Sequence, residues 1–298
     1  MLFRHLRTLL ALLALALAAP GHAGAPVSDS AKEFEAASLA AEAARIAGPQ
    51  QVMLGNQAQL ALPDGFAFIP AAEGARLMRA MGNQMGDGFL GLIVGERMAG
   101  FMTVRYDAAG YIKDDDARDW DADALLQNLK DGTEAGNEMR RQQGFPEFTV
   151  DGWVEPPRYD AAHQRLVWSA RLRDKQPPSD QASPGVNYNT YQLGREGYIS
   201  MNLVTDLANV EAQKPIAGQM LDALSFNEGK RYADFNADTD SVAAYGLAAL
   251  VGGIAAKKIG LLATVGLFLA KFWKIAAIAV FGFGASLRKL FGKKSAAE

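Results

Sequence analysis

Cysteine is absent from the 298 residues, which excludes disulfides, a thiolate metal site, a cysteine nucleophile and an acylated-cysteine anchor. Histidine is nearly as scarce: His5 and His22 fall in an amino-terminal leader-like stretch, leaving His163 alone in the body. One histidine without thiolates does not make a multi-histidine zinc site, and a Ser-His-Asp triad would have to use that residue. Its surroundings, YDAAHQRL, read as a hairpin tip, where a solvated role is ordinary. No glycine-rich phosphate loop, nucleophile elbow or dinucleotide fingerprint stands in the strand and helix context its chemistry needs. The sequence leans away from an enzyme, and no catalytic residue, metal or cofactor is expected.

What is present is uneven. The chain is 49% apolar and 21% charged, which suits one or two globular domains. Its net charge of −3 conceals three regions: +2 over residues 1–23, −12 over 24–240 and +7 over 241–298. A body at −12 repels phosphate backbones, so nucleic acid is not an expected partner.

The first region has Arg4 and Arg7, then an apolar run of 11 residues, then small residues at Gly21 and Ala23. This is the order of a secretory signal peptide over residues 1–23. In a Gram-negative bacterium, residues 24–240 would then be a periplasmic domain.

From residue 241 the composition turns apolar, interrupted by Lys257, Lys258, Lys271 and Lys274 around Trp273. A membrane segment is the default for such a stretch, and three arrangements stay open. One helix crosses near 259–287, placing Lys271 and Lys274 at mid-depth at about 2.5–3.5 kcal/mol each. Two short helices form a hairpin with Trp273 and its lysines at the interface. Alternatively, the tail lies in the membrane plane as a basic amphipathic helix. On a continuous helix Lys257, Lys271, Lys274, Lys289 and Lys293 share an arc of about 100°, a polar face for headgroups or for other copies of the tail. Arg288, Lys289, Lys293 and Lys294 put the carboxyl end in the cytoplasm by the positive-inside rule. The expected location is the bacterial inner membrane with a periplasmic body.

Within the body, helices are expected over 30–47, 71–83, after Asp121 and over 210–224. Strands are expected in QVML and QAQLAL around Gly55-Asn56, and in GFAFIP, FLGLIV, GFMTVRY, EFTVDGWVEP, RLVWSARLR, VNYNTYQLGRE, GYISMNLVTD and LSF. Strands in runs with helices interposed indicate an α+β fold, mainly an antiparallel sheet flanked by helices.

Three groups of polar residues are candidate sites. Asp114, Asp115 and Asp116 open an acidic run through Asp123 that could hold a hard cation. An EF-hand is excluded, because Ala124 stands where the turn needs Gly and Lys130 where the bidentate Glu belongs. Acidic residues before a helix are also its ordinary cap. Trp153, Tyr159 and Asp160 in the stretch GWVEPPRYD, with Asn187, Tyr188, Tyr191, Arg195 and Tyr198 in VNYNTYQLGREGYIS, could line a groove for a peptide, glycan or headgroup; cross-strand aromatic pairing accounts for them as well. Asn137, Arg140 and Arg141 could bind an anion or form a solvated helix face.

Taken together, GYIKDDDA, LLQNLKDGTEAGNEMR, GWVEPPRYD, VNYNTYQLGREGYISMN and RYADFNADTDSVAAYGLAALVGGIAAKKIG resemble a bacterial family of uncharacterised membrane-anchored proteins, domain-of-unknown-function family 2167. The resemblance covers most of 50–270 and implies a signal peptide, an exported domain and a carboxyl-terminal anchor. It transfers no functional residue. The closing order of sheet, helix and short LSF strand looks like the Mog1/PsbP-like α/β/α sandwich, a binding fold. The function expected is a membrane-anchored envelope protein acting as a binding, adaptor or assembly module, with a protein partner or self-association. One alternative is a hydrolase using Asp114, Asp115 and Asp116 or Asp160; another is an oligomerising tail that modulates the membrane.

Overall fold

The computed structural model describes residues 29–83, 85–142, 146–176 and 183–252. The expected signal segment and the tail residues Lys257, Lys258, Lys271, Trp273 and Lys274 lie outside the described residues. Among the described residues, no helix is long and apolar enough to cross a membrane.

Helix α1 (Asp29–Ala44) leads into the two-residue strand β1 (Ile46–Ala47). The helix stops short of the expected Ala47 because Ile46 and Ala47 pair with a later strand, opposite Phe68 and Ala67. Next come β2 (Gln50–Leu54), β3 (Ala58–Leu62), β4 (Phe66–Pro70) and α2 (Ala71–Ala80). The hairpin β5 (Phe89–Gly95) and β6 (Phe101–Asp107) precedes a 3-10 turn (Asp115–Arg118) and the long α3 (Ala122–Gln142). A four-strand meander follows, β7 (Phe148–Asp160), β8 (Arg165–Asp174), β9 (Gly185–Leu193) and β10 (Tyr198–Asp206). Then α4 (Val210–Ala223), β11 (Leu224–Phe226), a 3-10 turn (Tyr232–Asp234) and the short α5 (Ala248–Gly252) complete the described chain.

Eight strands form one antiparallel sheet in the order β1-β4-β5-β6-β10-β9-β8-β7, and β11-β3-β2 form a second. The α+β reading, a large antiparallel sheet flanked by helices, is what the chain adopts. Strand β7 runs four residues past the expected Pro156, through Pro157 to Asp160. Two prolines are tolerated because β7 is an edge strand, with no outer neighbour whose ladder needs their missing N–H groups. The pairing with β8 shifts register between Glu155 and Arg158 to pass them.

The large sheet has two unlike faces, and strand parity sorts them. On one face Met102, Val104, Ile199, Met201, Leu203 and Val186 pack under the small sheet and α4 in a continuous apolar core. Gln213 of α4, buried, pins this layer: its amide donates to the Arg97 carbonyl and its oxygen accepts from the Ala99 amide, both at 3.1 Å. Among the described residues, the opposite face is covered at its two ends only. At one end α1 and α2 lay Ala37, Ala41, Leu77 and Met78 against Ile69 and Leu92. At the other, α3 and residues 241–252 close over Val150, Leu166 and Trp168. Residues 241–252, which composition groups with the tail, thus pack on the body, with Leu247 and Val251 buried.

Candidate functional site: an open polar groove on the main sheet

The acidic run is held by structural bonds. Asp114 accepts the Tyr159 hydroxyl at 2.9 Å, and burial first, then this carboxylate, push the phenol well above its ordinary range. Asp116 accepts the amides of Leu247 and Ala248, each at 3.0 Å, and so fastens the start of α5. Asp115 lies in the 3-10 turn. Asp121 caps α3 by accepting the amides of Asp123 and Ala124 at 2.9 and 3.1 Å. Among the described residues, no group of three or more His, Asp or Glu is placed to hold a metal ion.

The aromatic candidates part company. Trp153 donates its indole N–H to the Ala122 carbonyl at 3.1 Å and meets Trp168 edge to face, so it serves the contact with α3. Tyr188 points to the other face of the sheet and donates to Glu155 at 3.1 Å. Tyr198 packs edge to face on Tyr191. Asp160 and His163 meet at 2.7 Å at the exposed tip of the β7–β8 hairpin, as its turn sequence indicates. Arg195 is taken up by Asp240. Asn137, fully buried, pairs with both backbone groups of Phe148 at 3.0 and 2.7 Å; Arg140 donates to the Pro146 carbonyl, and Arg141 to Glu147. These three join α3 to β7. Of the carboxylates proposed for hydrolysis, none lines either groove described below.

The open site lies between the two covered ends. Across five strands, pairing places Trp168, Asn189, Asn202, Thr103 and Leu92 in one row. Beside it run Leu166, Tyr191, Ser200, Arg105 and Phe89. A third row holds Ala170, Asn187, Val204 and Phe101. In the first two rows the outer positions are apolar or aromatic and lie under or beside the helices, while the centre is amide, hydroxyl and guanidinium. A helix laid over that centre would strip water from polar side chains without replacing its hydrogen bonds. The physical result is a groove of about 740 Å³ over β9, β10 and β6. It adjoins a second hollow of about 490 Å³ beneath α3, with Asn83, Met85, Arg140, Phe148, Leu172 and Asn187 shared between them.

Two features of the groove point to a ligand. The side-chain oxygen of Asn202 is buried and has no hydrogen-bond partner among the described residues, which is uncommon for a native buried oxygen. Arg105 is about half exposed and meets its carboxylate, Asp107, only at 3.5 Å. Of the residues singled out in the sequence, Arg140, Asn187 and Tyr191 reach this groove; Thr103, Arg105, Ser200 and Asn202 were missed. Their signal was a parity signal: each occupies every second position among buried apolar residues such as Met102, Val104, Met201 and Leu203.

Fold and groove together define an α+β domain with an open polar cleft on its main sheet. A family model described as protein of unknown function (DUF2167) matches residues 46–282, and the chain belongs to that family. No curated protein matches the sequence. Among solved structures, cyanobacterial PsbP (CyanoP) from Synechocystis sp. PCC 6803 is similar at 11% identity and a TM-score of 0.36, over 71% of this chain and 99% of that one. A protein of unknown function, PA94 from Pseudomonas aeruginosa, is similar at 12% identity and a TM-score of 0.22, over 57% and 91%.

Proposed function

We propose that the protein is an envelope binding module: an exported body that holds a small ligand in the open groove, tethered to the inner membrane by its carboxyl-terminal segment. The tether and the periplasmic location are supported by the leader-like start, the apolar tail and its basic end. The single observation that carries the binding role is a polar sheet centre that no described element covers, with the Asn202 oxygen buried and, among the described residues, unpartnered within it. A volume of about 740 Å³ is in the range of small-molecule sites. An adaptor role follows if occupancy of the groove is what a partner reads. Resemblance to a Mog1/PsbP-like sandwich remains part of the proposal for the fold and supplies no ligand.

The test is mass spectrometry of small molecules co-purifying with the full chain from native membranes. Ser200→Trp, which fills the groove floor, is the control. Wild type should carry a compound that the variant lacks. Equal small-molecule content in the two would sink the binding reading.

A further inference from the structure

Resting on that reading, we infer that the ligand is a saccharide bearing a carboxylate. The groove lies on a sheet face, where the backbone N–H and C=O groups of β9, β10 and β6 are already paired with one another. A peptide therefore cannot be recognised there by strand addition, and recognition falls to side chains. The chemistry of those side chains is selective. Asn189 donates one amide N–H to the Asn187 carbonyl at 3.1 Å, which leaves its second N–H and its oxygen. Asn202, directly opposite, lines the groove too, and its side-chain oxygen has no hydrogen-bond partner among the described residues. Two neighbouring amides, each able to donate and to accept, lie beside Thr103 and Ser200, which do the same, and such a set suits a ligand rich in hydroxyl groups. A polyhydroxylated ring satisfies that set; a lipid tail does not.

Charge and apolar surface narrow the class further. Three arginines and one aspartate line the groove, in a body whose overall charge is strongly negative. Arg173 is committed to Asp151 at 2.7 Å, and Arg140 donates to the Pro146 carbonyl at 2.7 Å with its guanidinium over the Phe148 ring. Arg105 stands in the row of Ser200 with only the long contact to Asp107, and a guanidinium in that position fits a carboxylate in a two-point contact. Phe89 and Phe101 at the groove edge supply flat apolar faces of the kind that pack against the C–H side of a sugar ring.

The experiment is calorimetric titration of the full chain in detergent with three purified probes: a galacturonic acid trisaccharide, its methyl ester and triglutamate. The acidic trisaccharide should bind, and esterification should weaken it at least tenfold. Arg105→Ala should cause a similar loss and erase the difference between acid and ester. Thr103→Val, nearly isosteric, should weaken acid and ester alike with the melting temperature unchanged. Arg105-dependent binding of triglutamate without binding of the saccharide would overturn the inference in favour of an acidic peptide. If no probe binds while a compound still co-purifies with wild type and not with Ser200→Trp, the ligand class is wrong and the binding role stands. If neither signal appears, both fall.

Discussion

Arg195 holds Asp240 by two parallel bonds, Nε to Oδ2 at 2.7 Å and Nη2 to Oδ1 at 2.8 Å. The pair fastens the segment that follows β11 across the end of the main sheet. Nearby, Lys230 contacts Glu196 at 2.7 Å, Tyr232 donates to the Ile112 carbonyl, and Tyr111 stacks against both Tyr232 and Phe235. This strap leads directly into residues 241–252, which pack on the body. Asp240→Asn removes the charge but keeps the shape. It should speed trypsin cleavage after Lys230 and Arg231 and lower the melting temperature at neutral pH, with the circular dichroism of the sheet retained. An unchanged cleavage rate would show that the remaining contacts of Lys230, Tyr232 and Phe235 secure the strap without the charge of Asp240.

The same pair has a defined pH dependence. Hydrogen bonding to Arg195 first, then to the Asn236 amide, holds the Asp240 carboxyl well below its ordinary 3.8. Glu147 is held down to about 2 from 4.5, by Arg141 first and then Lys175. A carboxyl lowered in the folded state contributes stability that is fully present above its unfolded value and is lost as pH falls toward its folded value. For Glu147 the window is pH 4.5 down to about 2. Melting temperatures between pH 7 and 2.5 should therefore fall less steeply below 4.5 in Glu147→Gln than in wild type. Parallel acid limbs would remove Glu147 from the account.

Most strands were legible from alternation or β-branched and aromatic content, and two helices also from their ends: Asp121 caps α3, and Gly82, just past α2, has φ 79°. Strand order was not, since β6 pairs with β10 across roughly a hundred residues and no local feature marks that partnership. The site was half legible for the same reason. Asn187 and Tyr191 stood out as an aromatic and amide block, whereas Ser200, Asn202, Thr103 and Arg105 gain meaning only once two distant strands lie side by side. Arg195 and Asp116 looked like ligand groups because a strong local charge is visible in sequence and its distant partner is not.

Asn137 substitutes for a strand. Its side-chain amide donates to the Phe148 carbonyl and its oxygen accepts the Phe148 amide, so α3 satisfies the first residue of edge strand β7. Removing it leaves two backbone groups without partners in a site where Asn137 itself is fully buried. Asn137→Ala should cost about 1–3 kcal/mol in denaturant unfolding. The loss should also raise amide exchange at the start of β7, and a cost near zero would mean that water replaces the amide.

Gly246 makes room for the Asp116 carboxylate, which a Cβ at that position would strike. The restriction is one of space, since the carboxylate must reach the next two amides, Leu247 and Ala248. Gly246→Ala should loosen α5 and expose Leu247 and Leu250, read as faster amide exchange over 247–252 and as stronger binding of a hydrophobic dye. Asp116→Asn, which keeps an acceptor, should do less than Gly246→Ala; the reverse order would place the weight of the contact on charge.

Asn202 provides the clearest separation of stability from function. A buried oxygen without a partner costs about 1–3 kcal/mol, and an apolar side chain of similar size avoids that cost. If the oxygen is kept for a ligand, Asn202→Leu should raise the melting temperature, on the order of 5 °C for a body of this size, while abolishing ligand retention. Binding sites commonly trade stability for function in this way. The opposite pattern, a destabilised variant that still retains its ligand, would assign Asn202 to the internal bonding of the sheet face and move the site away from β10. Asn189→Leu separates the two further: its amide already bonds the Asn187 carbonyl, so that variant should be less stable than wild type even though Asn189 lines the same groove.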